Sequence, residues 1–151
     1  ESQFRVLDRL IMSRNLDEEV LPAGWPIKKG WISSSYGKRK NPFNGKSEFH
    51  KGIDFAGKAG SDVIAVASGV VTWAGRRSGY GKLVEIDHGN RFATRYGHNK
   101  KHIVRVGDVV KKGQMVAKMG STGRSTGPHV HLEVLERGKQ INPYKFIRSS
   151  K

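Results

Sequence analysis

The sequence predicts an all-β fold, an antiparallel β-sheet core preceded by a short N-terminal helical arm. After Trp25, short runs rich in β-branched residues recur between glycines, the pattern of strands joined by tight turns. Nothing in that part repeats its apolar residues at the period of a long helix, whereas the segment before it does so at its start.

In residues 3–21, Phe4, Leu7, Leu10, Ile11 and Leu21 stand among charges, with spacings of three and four at the start. This predicts a short amphipathic helix, which Pro22-Ala23-Gly24 ends. Residues 1–24 therefore read as a helical arm or linker, and residues 25–151 as one domain. Within that domain the strand-like runs span 63–67, 70–74, 83–87, 92–96, 109–119 and 130–135. Gly69, Gly79, Gly81, Gly89, Gly107, Gly113, Gly120 and Gly127 fall between or beside them, as turns require. Residues 64–71 and 106–115 read as strand and hairpin units of one sheet, without a true repeat.

A chain of 151 residues can bury a real core, since roughly 70% of the extended surface leaves water at this size. It contains no cysteine. Disulfides, thiolate metal sites and cysteine nucleophiles are thereby excluded, and any metal must be held by imidazole and carboxylate. No apolar stretch approaches the roughly 18 residues of a membrane helix. Beginning at Glu1 rather than methionine, the chain reads as a processed or trimmed piece of a longer protein. Its 28 basic and 13 acidic residues leave a net charge of +15, yet residues 1–24 hold three arginines against five acids. The remainder should attract polyanions, whether nucleic acid, anionic lipid headgroups or acidic wall polymers. No helix-turn-helix, zinc-finger or RNA-binding signature accompanies the charge, so specific nucleic-acid binding is not expected.

The histidines carry the chemistry. His129 and His131 are one residue apart, so in a strand they share a face while Val130 points the other way. His50 and Asp54 stand four apart in His-Lys-Gly-Ile-Asp, a spacing that closes on one face of either a helix or a strand. Gly52 within the pair, and apolar Phe49, Ile53 and Phe55 around it, favour an extended segment. A catalytic zinc takes three protein ligands and keeps a fourth position for water. His50, Asp54 and one of His129 and His131 supply that count. The other histidine of the pair, and His98 in Tyr96-Gly97-His98, would then stand beside the metal as acid–base or oxyanion-stabilising groups. His88, in Asp87-His88-Gly89-Asn90, and His102, among lysines, read as turn and loop residues.

At these residues the sequence resembles the lysostaphin/LytM-type zinc metallopeptidases that cut peptidoglycan cross-links, and within them the Gram-negative envelope type. The resemblance rests on His50-Lys-Gly-Ile-Asp54, Tyr96-Gly-His98 and Gly127-Pro-His-Val-His131-Leu-Glu133. It extends from Trp25-Pro26 through Ser35-Tyr36-Gly37-Lys38-Arg39 and the 107–114 hairpin to Ile141-Asn142-Pro143-Tyr144. It implies zinc held by His50, Asp54 and His131, with His98 and His129 as catalytic histidines whose division of labour stays open. It also implies an antiparallel sheet with the zinc in a groove walled by loops 37–49 and 75–81. Tyr36, Trp73, Tyr80 and Tyr96 either line that groove or belong to the core. The implied substrate is the peptide stem of peptidoglycan, with D-alanyl-diaminopimelate as the bond, the periplasm or cell envelope as the location, and envelope regulators as possible partners. Asn99 and Lys100 stand where the family often has leucine first, which predicts a change in groove polarity. Three rival readings are weaker: a non-catalytic wall-binding activator of another hydrolase, sequence-blind nucleic-acid binding, and a lipoyl- or biotin-type carrier with Lys118 as its modified lysine. The last explains none of the histidines.

Overall fold

The computed structural model describes residues 18–41, 43–121 and 127–148. Residues 1–17 of the expected arm lie outside the described residues, as do positions 122–126 of the glycine-rich segment before His129. Residues 18–20 are helical, and the chain then joins the sheet. The Ser68 N–H donates to the Glu19 carbonyl, and the Ala23 N–H to that of Val66, at 2.7 and 3.0 Å.

Twelve strands follow in the described residues: β1 Trp31–Ser34, β2 Gly37–Lys40, β3 Ser47–His50, β4 Ile53–Ala56, β5 Asp62–Ile64, β6 Gly69–Arg77, β7 Gly81–Asp87, β8 Phe92–His102, β9 Val109–Val110, β10 Met115–Met119, β11 His129–Glu136 and β12 Lys139–Ile141. One helical turn, Tyr144–Ile147, closes the domain. Among the described residues no helix is long and apolar enough to cross a membrane. Ten strands form one sheet whose main path is β1-β4-β11-β8-β7-β6-β9, with β12 on β11, and β10 bridging β8 to β5. The hairpin of β2 and β3 is a separate two-stranded sheet. Every pairing is antiparallel, as expected.

Alternation along the central strands builds both the core and the opposite face. In β11, Val130, Leu132 and Val134 are fully buried in the core, so His129, His131 and Glu133 emerge together on the other side. In β4, Ile53 and Phe55 enter the same core while Asp54 joins the histidines. Each such wholly buried large side chain contributes about 1.5–3 kcal/mol. Trp25 packs its ring 5.2 Å from that of Phe55, tying the chain ahead of β1 to the core.

Three local expectations are corrected. The run 109–119 is two strands, because Gln114 turns the chain: its N–H donates to the Lys111 carbonyl and its Oε1 accepts the Lys111 N–H. The segment 37–49 is mostly the β2–β3 hairpin, and 75–81 is mostly the extended ends of β6 and β7. His50 and Asp54 do not share one extended segment. His50 ends β3, and Asp54 lies in β4 of the other sheet. Between them Gly52 crosses so close to β11 that a Cβ there would lie 2.3 Å from the Leu132 carbonyl oxygen and 2.9 Å from His131 Cε1. Only glycine allows this crossing, and the crossing brings the two residues together.

Candidate metal centre

Cross-strand register sets the centre. His131 of β11 lies opposite Asp54 of β4 on one side and Gly97 of β8 on the other. His50 arrives from the hairpin. His131 Nδ1 lies 2.8 Å from Asp54 Oδ1 and 3.2 Å from His50 Nε2, and His50 Nε2 lies 3.3 Å from Asp54 Oδ1. All three residues are buried, and their ligand atoms fall within 4.8 Å of one another.

The outer nitrogens are already committed. His50 Nδ1 donates to the Ser35 carbonyl at 2.9 Å, and His131 Nε2 donates to Glu133 Oε2 at 2.9 Å. The inner nitrogens thus face the shared point, able to donate to Asp54 when protonated and to present lone pairs to a cation that takes the proton's place. Burial alone would raise the Asp54 carboxyl, but hydrogen bonds from His131 and His50 outweigh it and hold it well below the usual carboxylate range. Burial pulls His131 down, yet its bonds to Asp54 and Glu133 prevail and push it up to about 9. A buried carboxylate and converging imidazoles therefore demand positive charge at this point, which a divalent cation supplies. Two nitrogens and one carboxylate oxygen, without thiolate, form the donor set of a catalytic zinc site.

His129 and His98 flank the cluster. His129 Nδ1 donates to the Gly127 carbonyl at 2.9 Å, which turns Nε2 toward Asp54 Oδ1, 3.9 Å away. The His98 ring centre lies 4.8 Å from that of His129 and 6.0 Å from that of His131. The five residues line one groove with Arg39, Asn41, Phe43 and Glu48 of the hairpin and with Tyr80.

Residues 48–143 match the model of peptidase family M23. The chain belongs to this family. It is 43% identical over 118 residues to the DD-carboxypeptidase/endopeptidase Mpg of Neisseria meningitidis, covering 78% of this chain and 27% of the relative. A zinc containing peptidase from Vibrio cholerae superposes with a TM-score of 0.74 at 37% identity, covering 81% of this chain and 39% of that one. The catalytic domain of lysostaphin from Staphylococcus simulans gives a TM-score of 0.72 at 32% identity, covering 80% and 93%. The chain spans well under half the length of the curated relatives it matches. The expected lysostaphin-like β fold is therefore correct.

Several features of this M23 site were silent in the sequence. Glu133 is 2% exposed. Its carboxylate accepts from His131, from the Tyr80 hydroxyl at 2.9 and 3.1 Å, and from Arg95 and Gln140 at 3.4 Å. Arg95 in turn pairs with Glu85 at 2.6 Å. Strand alternation placed Glu133 on the His131 face, but nothing local named its partners. Arg39 donates to Ser34 Oγ at 2.6 Å and approaches Asp54 Oδ2 at 3.4 Å, bracing the carboxylate from the hairpin.

Strict alternation would send His98 to the face of fully buried Tyr96. A bulge prevents this: the β7–β8 register slips between Lys82 and Val84, and His98 adopts a left-handed φ of 63°. Asn99 holds the bulge. Wholly buried, it donates to the carbonyls of Tyr96 at 2.8 Å and Lys82 at 3.1 Å. It therefore braces backbone and does not change groove polarity, contrary to expectation. Tyr80 packs over Gly97, where a Cβ would lie in ordinary contact at 3.4 Å from Tyr80 Cδ1.

Of the four aromatic candidates, Tyr80 lines the groove. Tyr36 packs on the core and edge-on against Phe49, and Trp73 is half-exposed at β6. Tyr96 is core, its hydroxyl accepting the Val66 N–H at 3.0 Å. His88 is a buried brace, bonded to the Ser68 carbonyl at 2.7 Å and Thr94 Oγ1 at 2.9 Å. His102 ends β8, exposed.

Proposed function

We propose that the chain is a zinc-dependent endopeptidase that hydrolyses the D-alanyl-diaminopimelate cross-links of peptidoglycan. The observation that carries this reading is the convergence of His50 Nε2, Asp54 Oδ1 and His131 Nδ1 beside two further histidines in an open groove. His50, Asp54 and His131 would hold the zinc. When bound, the metal supplies Lewis acidity toward the peptide carbonyl and acidifies water to a pKa of about 7. His129, fixed through the Gly127 carbonyl, and His98, aimed by the bulge, share the remaining work of taking the proton of the attacking water and holding the developing oxyanion. The groove between the hairpin and Tyr80 receives an extended peptide. The DD activity named for the Neisseria relative supports a bond between two D-centres. Such a substrate lies in the bacterial envelope, so the reading places the protein in the periplasm, where envelope regulators can reach it. The net charge of +15 suits retention on an anionic wall.

Digestion of diaminopimelate-type and glycine-bridged peptidoglycan, with and without a chelator, tests the proposal. Mass spectrometry should show chelator-sensitive loss of cross-linked dimers from the first wall. Cleavage confined to glycyl bonds would overturn the assigned bond. His129→Ala should abolish hydrolysis while zinc remains bound, and a normal rate in that variant would refute the catalytic assignment. The complete donor set argues against a purely regulatory wall-binding role.

A further inference from the structure

The groove continues past the metal centre along the end of β6. A second hollow, lined by Arg76, Arg77, Ser78, Gly79 and Gly81, adjoins the first at Gly79. Arg77 is fixed there. Its guanidinium carbon lies 5.1 Å from the Trp73 ring centre and 5.9 Å from that of Tyr80. The Tyr80 ring in turn lies 6.1 Å from that of His131, so one aromatic ring separates Arg77 from a metal-site residue. A hydrogen bond of 3.0 Å from the Tyr80 N–H to the Arg77 carbonyl closes the turn that holds this arrangement.

Arg77 differs from Arg39 and Arg95 in having its charge unspent, and from Arg76, which also has no carboxylate partner among the described residues, in being partly buried and held on aromatic faces while Arg76 is exposed. Arg39 meets Glu48 and Asp54, and Arg95 meets Glu85 and Glu133. Among the described residues no carboxylate oxygen lies within 4.0 Å of Arg77. Contact with aromatic faces uses the plane of a guanidinium and leaves its edge donors available. Lys51 also lines the groove, but it is exposed at the end of a flexible stem and offers only a point charge.

Such a fork matches a carboxylate. In a D-alanyl-diaminopimelate cross-link, the carbon bearing the scissile nitrogen also bears a carboxyl group. In a glycine bridge the corresponding carbon bears only hydrogens and continues into another amide. We infer that Arg77 is the subsite for this free carboxylate and so determines which cross-link the groove accepts. The inference rests on the endopeptidase reading above.

The test compares two cross-linked muropeptide dimers on the zinc-loaded chain, one with this carboxylate free and one with it amidated. The free form should be preferred about 10- to 100-fold in kcat/KM, the worth of one charge-assisted hydrogen bond, and mainly through KM. Arg77→Gln should bring that ratio to within about twofold of unity, and Arg77→Lys should restore part of it. An unchanged thermal midpoint in both variants would exclude misfolding as the cause. Calorimetric binding of the amine-side monomer, free and amidated, should give the same contrast without turnover. Equal cleavage of both dimers by the wild type, or a wild-type ratio in Arg77→Gln, overturns the assignment of Arg77 alone. Cleavage of neither dimer overturns the endopeptidase reading together with it.

Discussion

Glu133 fixes which nitrogen of His131 faces the candidate metal centre. By accepting from Nε2 at 2.9 Å it leaves Nδ1 for the shared point, the arrangement in which a carboxylate orients a metal-binding imidazole. Burial alone would raise the Glu133 carboxyl, but the His131 hydrogen bond outweighs it, and Tyr80 and Arg95 add to the lowering. Tyr80 bears the reverse effect, its hydroxyl raised by burial and by the Glu133 charge. Glu133→Gln keeps the shape and removes the charge, so zinc affinity should fall roughly 10- to 100-fold. Competition with a calibrated chelator measures this, and an unchanged affinity would show that His131 is oriented without the carboxylate. That one histidine of the 129/131 pair would meet Asp54 was legible in the residues, the resemblance implied His131, and the register of β11 against β4 places His131 opposite Asp54. The role of Glu133 was half legible. Its face follows from the two-residue period, but Tyr80 reaches it from the β6–β7 turn, Arg95 from β8 and Gln140 from β12.

At the scale of elements, β11 and β8 contrast. In β11 the order His129-Val130-His131-Leu132-Glu133-Val134 keeps perfect alternation, so its two faces could be read directly. In β8 alternation fails at His98, where a non-glycine residue takes a left-handed conformation, a cost of about 1–2 kcal/mol. The His98 N–H bond of 2.6 Å to the Tyr80 carbonyl and the two Asn99 bonds hold it there. Asn99→Ala would take this donor from the buried Tyr96 carbonyl and the partly buried Lys82 carbonyl and should cost about 1–3 kcal/mol of stability by chemical denaturation. Because the bulge aims His98, kcat should fall more than KM changes. A variant that loses stability but retains kcat would separate the fold of β8 from its role in the site. His50 and Asp54 show the same limit. Their spacing was visible, but that they lie on two strands in two sheets depends on Gly52 passing against β11.

Across the whole molecule, stability and charge respond to pH through a group far from the groove. Burial holds the His88 imidazole below the usual histidine value, Lys112 adds to this, and the Ser68 carbonyl and Asp87 oppose it. Its folded pKa is therefore below the unfolded value of about 6.5. The contribution to stability is full above that value and is lost as pH falls below it toward the folded pKa. The thermal midpoint should drop between pH 7 and pH 5. His88→Asn should start lower at pH 7 and show a shallower slope, and parallel slopes would remove His88 from the cause. The structure also shows why some properties were open to a linear reading and others were not. Composition, the β-rich runs between glycines and the two-residue period fixed the fold class, the core face of the central strands and the candidate ligands, because each depends on neighbours along one strand. The split of 109–119, the bulge at His98, the bracing by Asn99 and the aromatic clamp on Arg77 required the folded chain. Each depends on register between strands distant in sequence, and register comes from the summed packing and hydrogen bonding of both partners.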